Sequence, residues 1–141
     1  MKLFTKPVKM ILFVCVENAG RSQMAEGFFD ENSPDGYEAI SGGTKPVSEI
    51  NPVAVQVMKE VGIDIGNKKS KIITEDMMRN SEKIVNMGCM EKESCPTLFL
   101  HNLIDWNMED PKGKSVEKVR EIRDKIEQRV IELVNALKVT K

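Results

Sequence analysis

The longest unbroken apolar run, Met10–Val16, lies within a stretch, Val8–Val16, that reads as one strand buried on both faces, as in the interior of a parallel sheet. Beyond it the period changes. Met24, Ala25, Phe28 and Phe29 recur at helical spacing, so a helix is predicted over Ser22–Asp30. Ser33-Pro34-Asp35-Gly36 is a turn, Tyr37–Ser41 a short second strand, and Gly42–Pro46 a loop. Asn51-Pro52 marks a helix start, with Asn as cap and Pro at the first position, and that helix runs to Val61 before Gly62 stops it. Thr74 caps a short helix reaching Arg79. Lys83–Met87 and Thr97–His101 read as the third and fourth strands, with the polar loop Cys89–Cys95 between them and an irregular segment, Asn102–Lys114, after them. Ser115–Lys138 is the longest helix. Its apolar positions, from Val116 through Val119, Ile122, Ile126, Val130 and Leu133 to Leu137, step by three or four throughout.

Strands alternating with helices predict an α/β fold: a single domain over residues 8–138, with a four-stranded parallel sheet flanked by helices, after a short N-terminal lead at 1–7. In such sheets chemistry gathers at the carboxyl ends of the strands. Cys15, Cys89 and the 102–114 segment are therefore expected at one edge.

Composition narrows the function. The 141 residues carry 21 Lys+Arg against 22 Asp+Glu, a net charge of −1, without the basic excess of a nucleic-acid binder. Aromatics make up 5% of the chain, too few for a base-stacking surface. No apolar run reaches the length of a membrane span, and no cleavable signal pattern is present. A cytoplasmic protein without nucleic-acid or membrane partners is expected. Structural disulfides are not expected there, so each of the three cysteines needs another explanation.

The first explanation lies between the first strand and the first helix, in Cys15-Val16-Glu17-Asn18-Ala19-Gly20-Arg21-Ser22. A loop of this length, entering a helix, can turn successive backbone N–H groups inward as an anion nest, and the helix amino end adds partial positive charge. Arg21 can bind two oxygens of a tetrahedral anion at once. Cys15 at the base of that cradle is expected as a thiolate, with Ser22 donating to its sulfur and Asn18 holding the loop's shape. Without the flanking elements, the same residues would be only a buried cysteine ending a strand and an arginine on a helix face.

Cys15–Ser22 resembles the phosphate-binding loop of the low-molecular-weight protein tyrosine phosphatase superfamily. Its continuation, Arg21-Ser22-Gln23-Met24-Ala25-Glu26-Gly27, resembles the arsenate reductases on that fold that use thioredoxin as reductant. The resemblance extends through Ser41–Pro46, Asn51–Val55, Met58–Ile65 and Trp106–Pro111. It implies a cysteine nucleophile at Cys15, with Arg21 and the amides of Val16, Glu17, Asn18, Ala19, Gly20, Arg21 and Ser22 holding an arsenate or phosphate-like oxyanion. It also implies that Asp110, in Asp110-Pro111, is the general acid. By sequence alone Asp110-Pro111 is equally a turn before a helix; proline fixes the backbone there, and a carboxyl beside the cradle could reach a bound oxyanion. Asp105 and Glu109 are the neighbouring carboxylates with which it could be confused, and His101 reads as a polar residue at a strand end.

Cys89 and Cys95 cannot build a four-ligand zinc site with only Cys15 and His101 to complete it, so no metal is expected. They are either incidental thiols or a pair that can oxidise. The resemblance implies the second: a redox pair that passes electrons from thioredoxin, although its spacing is one residue shorter than is usual for these reductases. No prosthetic group is needed. Some of these reductases bind potassium beside the loop; Asn18, Glu26 and Ser41 match three of the positions, but the fourth falls at Lys71, itself a cation. Glu17 stands where phosphatases usually carry glycine, so its carboxylate is expected to point away from the cradle. Lys112-Gly113 stands where eukaryotic-type tyrosine phosphatases place tyrosines. The expected function is thus reduction of arsenate to arsenite, with residual phosphatase activity. The alternatives are a tyrosine or small phosphate-ester phosphatase, and a non-catalytic oxyanion-binding or redox-sensing module.

Overall fold

The computed structural model describes residues 8–87 and 102–139, and its central strand is β1 (Lys9–Cys15). β2 (Tyr37–Gly43) and β3 (Ser81–Asn86) flank it, and β4 (Leu103–Asp105) pairs with β3. All pairs are parallel and the order is β2-β1-β3-β4. Side chains alternate across a strand, so Ile11, Phe13 and Cys15 join one core and Leu12 and Val14 another. Both faces of β1 are covered, which is why its sequence is an unbroken apolar run rather than an alternating one.

The larger core receives α1 (Arg21–Asn32), α2 (Pro52–Glu60) and α4 (Val116–Val139) through side chains such as Phe28, Phe29, Met58, Ile122 and Ile126. The Phe13 ring meets those of Phe29 and Trp106 at centroid distances of 6.1 and 5.8 Å. On the opposite face Met77 and Met78 of α3 (Glu75–Arg79) pack on Leu12, Val14 and Ile84. Asn51 Oδ1 accepts from the amides of Val53 and Ala54, and Thr74 Oγ1 accepts from that of Met77, as their capping positions require. The buried Arg123 ties α4 to α2 by donating to the Val57 carbonyl and to Glu60. Arg120 binds the same carboxylate, and its hydrogen bond, with help from Arg123, holds Glu60 below the ordinary carboxylate range. Among the described residues, no helix is long and apolar enough to cross a membrane.

Two boundaries differ from expectation for physical reasons. Gly42 and Gly43, read as loop, extend β2 by pairing with Val14 and Cys15; glycine weakens the sequence signal for a strand but suits close backbone approach. Leu103–Asp105, read as irregular, is β4, a strand of 3 residues and too short to show a period. The strand expected over Thr97–His101 lies outside the described residues. From β1 the chain builds β2 on one side and then crosses to the other for β3. That reversal of direction places a crevice at the carboxyl end of β1, where the segment after Cys15 emerges.

Candidate active site

The geometry of the segment after β1 is imposed from outside. The carbonyls of Cys15, Val16, Glu17 and Ala19 accept hydrogen bonds from the amides of Thr44, Lys45, Val47 and Asn51, and that of Gly20 accepts from Met24. In a trans peptide the next N–H points opposite to the carbonyl. Turning these carbonyls outward therefore turns the amides of Val16, Glu17, Asn18, Gly20 and Arg21 inward. Inward amides at the amino end of α1 have the arrangement that can serve as an anion nest.

Asn18 is the hinge of the loop, fully buried and left-handed at φ 53°. Its Oδ1 accepts from the Lys71 amide at 2.8 Å and from Gln23 Nε2 at 3.1 Å. A backbone N–H can only donate, so the other end of the Asn18 amide is the nitrogen, and it donates to Ser22 Oγ at 2.7 Å. Ser22 Oγ also lies 2.8 Å from Cys15 Sγ, and its hydroxyl hydrogen is available to the sulfur once the thiol has lost its proton. The Asn18 amide approaches the same sulfur at 3.2 Å. Cys15 is 3% exposed at the base of the pocket. The Asn18 amide on its sulfur and the amino end of α1 beside it are features that stabilise negative charge there.

Arg21 is also buried, and its Nη1 donates to the carbonyls of Met87 at 3.1 Å and Met108 at 2.8 Å. That anchoring leaves the Nε/Nη2 edge to meet an oxyanion two oxygens at a time. Asp110 Oδ2 lies 3.8 Å from Arg21 Nη2, and its other oxygen accepts from the Lys112 amide at 3.0 Å. The Asp110 side chain is 59% exposed at the mouth of the same pocket, which encloses about 170 Å³. The two rival carboxylates are occupied elsewhere: Glu109 faces Lys118 at 3.3 Å and Lys114 at 3.7 Å, and Asp105 accepts from Asn86 Nδ2 at 2.9 Å. Glu17 is paired with Lys112 at 2.8 Å. Cys89, Cys95 and His101 lie outside the described residues.

Several supports were not legible in the sequence. The 68–71 segment is stitched to Asn18 through Ser70, Lys71 and Gln23. Lys68, not Lys71, places its ammonium on Glu26 at 2.8 Å, with Asp30 at 3.6 Å, and Glu26 also accepts from Ser41 Oγ. Burial works against the Lys68 ammonium, but its bonds to the two carboxylates outweigh that and raise it above the ordinary lysine value; burial raises the Asp30 carboxyl. Gly43 lies directly under the loop. A Cβ there would overlap the Val16 carbonyl and come within 2.9 Å of the Asn18 amide, both backbone atoms. Gly43→Ala is therefore expected to cost about 1–3 kcal/mol of stability through overpacking and to weaken oxyanion binding as the nest deforms. Urea unfolding, and protection of Cys15 from alkylation by phosphate, check both effects.

A family profile described as low molecular weight phosphotyrosine protein phosphatase matches residues 10–141. An arsenate reductase of Brevibacillus brevis is 36% identical over 123 residues, covering 86% of this chain and 91% of that protein. The solved structure of a thioredoxin-dependent arsenate reductase of Corynebacterium glutamicum superposes with a TM-score of 0.82 at 32% identity, over 98% of this chain and 66% of that one. A structure of an arsenate reductase in the phosphate binding state gives 0.81 at 32% identity, over 92% of this chain and 98% of that one.

Proposed function

The chain belongs to the low molecular weight phosphotyrosine protein phosphatase family, and from that premise we propose that it is an enzyme reducing arsenate to arsenite, with thioredoxin as its reductant. The observation that carries the reading is the buried Cys15 sulfur, with Ser22 and the Asn18 amide on it and Arg21 and Asp110 in the same pocket. A thiolate below an anion nest can attack the central atom of a bound tetrahedral oxyanion. The inward amides and Arg21 hold its oxygens, and Asp110 delivers the proton with which one of them leaves as water. Cys89 thiolate then attacks the Cys15 sulfur. The bonding pair of the sulfur–arsenic bond passes to arsenic, arsenite departs, and a Cys15–Cys89 disulfide remains. Cys95 attacks Cys89 and releases Cys15 as thiolate, leaving Cys89–Cys95 for thioredoxin to reduce. The electrons balance: arsenic gains two, one dithiol becomes one disulfide, and no prosthetic group takes part. These steps suit a reducing compartment such as the cytoplasm.

The described pocket lining contains no aromatic side chain to stack on a phosphotyrosine ring, which supports the reductase over the phosphatase. The deciding experiment measures arsenate-dependent oxidation of a thioredoxin system beside hydrolysis of an aryl phosphate. Efficient coupled turnover with slow hydrolysis is expected. Hydrolysis without arsenate-dependent oxidation would make the protein a phosphatase, and oxyanion binding with neither activity would make it a binding module.

A further inference from the structure

Two segments distant in sequence meet at the pocket, and a second, shorter ion pair joins them besides Arg21–Asp110. Glu17, in the nest, and Lys112, two residues after Asp110, both line the pocket and meet at 2.8 Å. The pairing raises the Lys112 ammonium above its ordinary value. Beneath the pair, Pro111 packs on Gly20 so closely that a Cβ on Gly20 would lie 3.0 Å from its ring. The Lys112 amide meanwhile holds the Asp110 carboxylate. The two segments are thus joined by an apolar contact below and a charged contact at the rim.

We propose that the Glu17–Lys112 pair is a rim clasp that selects small inorganic oxyanions over phosphate monoesters, an inference about substrate class that rests on the reductase reading. A tetrahedral anion seated in the nest directs its remaining oxygen toward Asp110 and the mouth. In arsenate that substituent is an oxygen, and the clasp stays closed. In a monoester it carries an organic group that must pass the rim. An apolar group there would desolvate or part a charged pair, and among the described lining residues it gains no aromatic partner in return. Glu17 thereby acquires a role despite its awkward charge: its carboxylate is neutralised by Lys112 and kept on the rim.

The test exploits the sign of charge. Cys15 alkylation is followed with increasing inorganic phosphate or phenyl phosphate, at mildly alkaline pH where both are dianions. The ratio of their protecting concentrations is compared among wild type, Glu17→Gln and Lys112→Met. A bare charge effect would tighten both probes in Glu17→Gln, loosen both in Lys112→Met, and leave the ratio unmoved. The clasp requires both variants to shift the ratio toward phenyl phosphate, by about three- to fivefold, the range accessible to an exposed pair. Lys112→Arg, which keeps the pair, should restore the wild-type ratio. An unmoved ratio, or shifts of opposite sign, overturns the clasp. Because this readout is binding, it stands apart from turnover: absence of arsenate reduction in the wild type would defeat the reductase reading while the ratio still decides the clasp.

Discussion

Thioredoxin-coupled arsenate turnover is expected to stop when either Cys89 or Cys95 is replaced by serine, while any hydrolysis of an aryl phosphate continues. Arsenate reduction draws two electrons from protein thiols, and Cys15 supplies only one thiol of the disulfide that must result. Hydrolysis of a phosphate ester moves no electrons, so the nest, Cys15 and Asp110 suffice for it. The two variants should also fail differently. Cys95→Ser should release one arsenite and stall as a Cys15–Cys89 disulfide, detectable by mass spectrometry of digested protein. Cys89→Ser cannot form that bond and should stall as the thiol–arsenic adduct until an external thiol is supplied. Wild type after one turnover should hold Cys89–Cys95 with Cys15 reduced. Undiminished coupled turnover in both variants would show that the reducing thiol comes from outside the protein.

Replacing Asp110 with asparagine is expected to lower turnover by about 10²–10⁴-fold, the usual worth of a general acid, while leaving oxyanion affinity within a small factor. The separation follows from geometry. Binding rests on the inward amides and on Arg21, whose Nη1 is anchored by the Met87 and Met108 carbonyls. Asp110 sits at the mouth, 3.8 Å from Arg21 Nη2, where in the proposed reaction it would meet the departing oxygen rather than the held ones. Asparagine keeps an oxygen to accept from the Lys112 amide, so the loop should hold its shape. Glu109→Gln and Asp105→Asn should cost far less, because those carboxylates face Lys118 and Asn86. Single-turnover rates beside phosphate protection of Cys15 make the comparison; a larger loss from Glu109→Gln would move the acid to that residue.

How far the site was legible depends on the reach of each interaction. Cys15 to Ser22 is local: a buried strand, a loop of this length and a helix start constrain one another, so the nest could be anticipated from eight consecutive residues. Asp110 lies far along the chain from them, and its place at the mouth depends on where β4 ends and α4 begins. Its chemistry was suggested by resemblance, whereas its proximity to Arg21 is a matter of tertiary structure. Lys112 stands where the resembled eukaryotic-type phosphatases carry tyrosine, and no one-dimensional pattern pairs it with Glu17.

The layered α/β architecture is specified locally, because burial periods of strands and helices are written in consecutive residues and their alternation leaves few topologies. The sequence also specifies the chemistry available: a thiol, a guanidinium and a short run of amides at a helix entry. Which groups hold that loop in shape is set by contacts between segments far apart in the chain. The outward carbonyls are set by the 44–51 segment, and the Asn18 amide is oriented by Lys71. The space beneath depends on Gly43, and the carboxylate of Glu26 is met by Lys68 rather than Lys71. Hydrogen bonds and ion pairs act over about 3 Å whatever the separation along the chain, so these partners become known only once folding has brought them together.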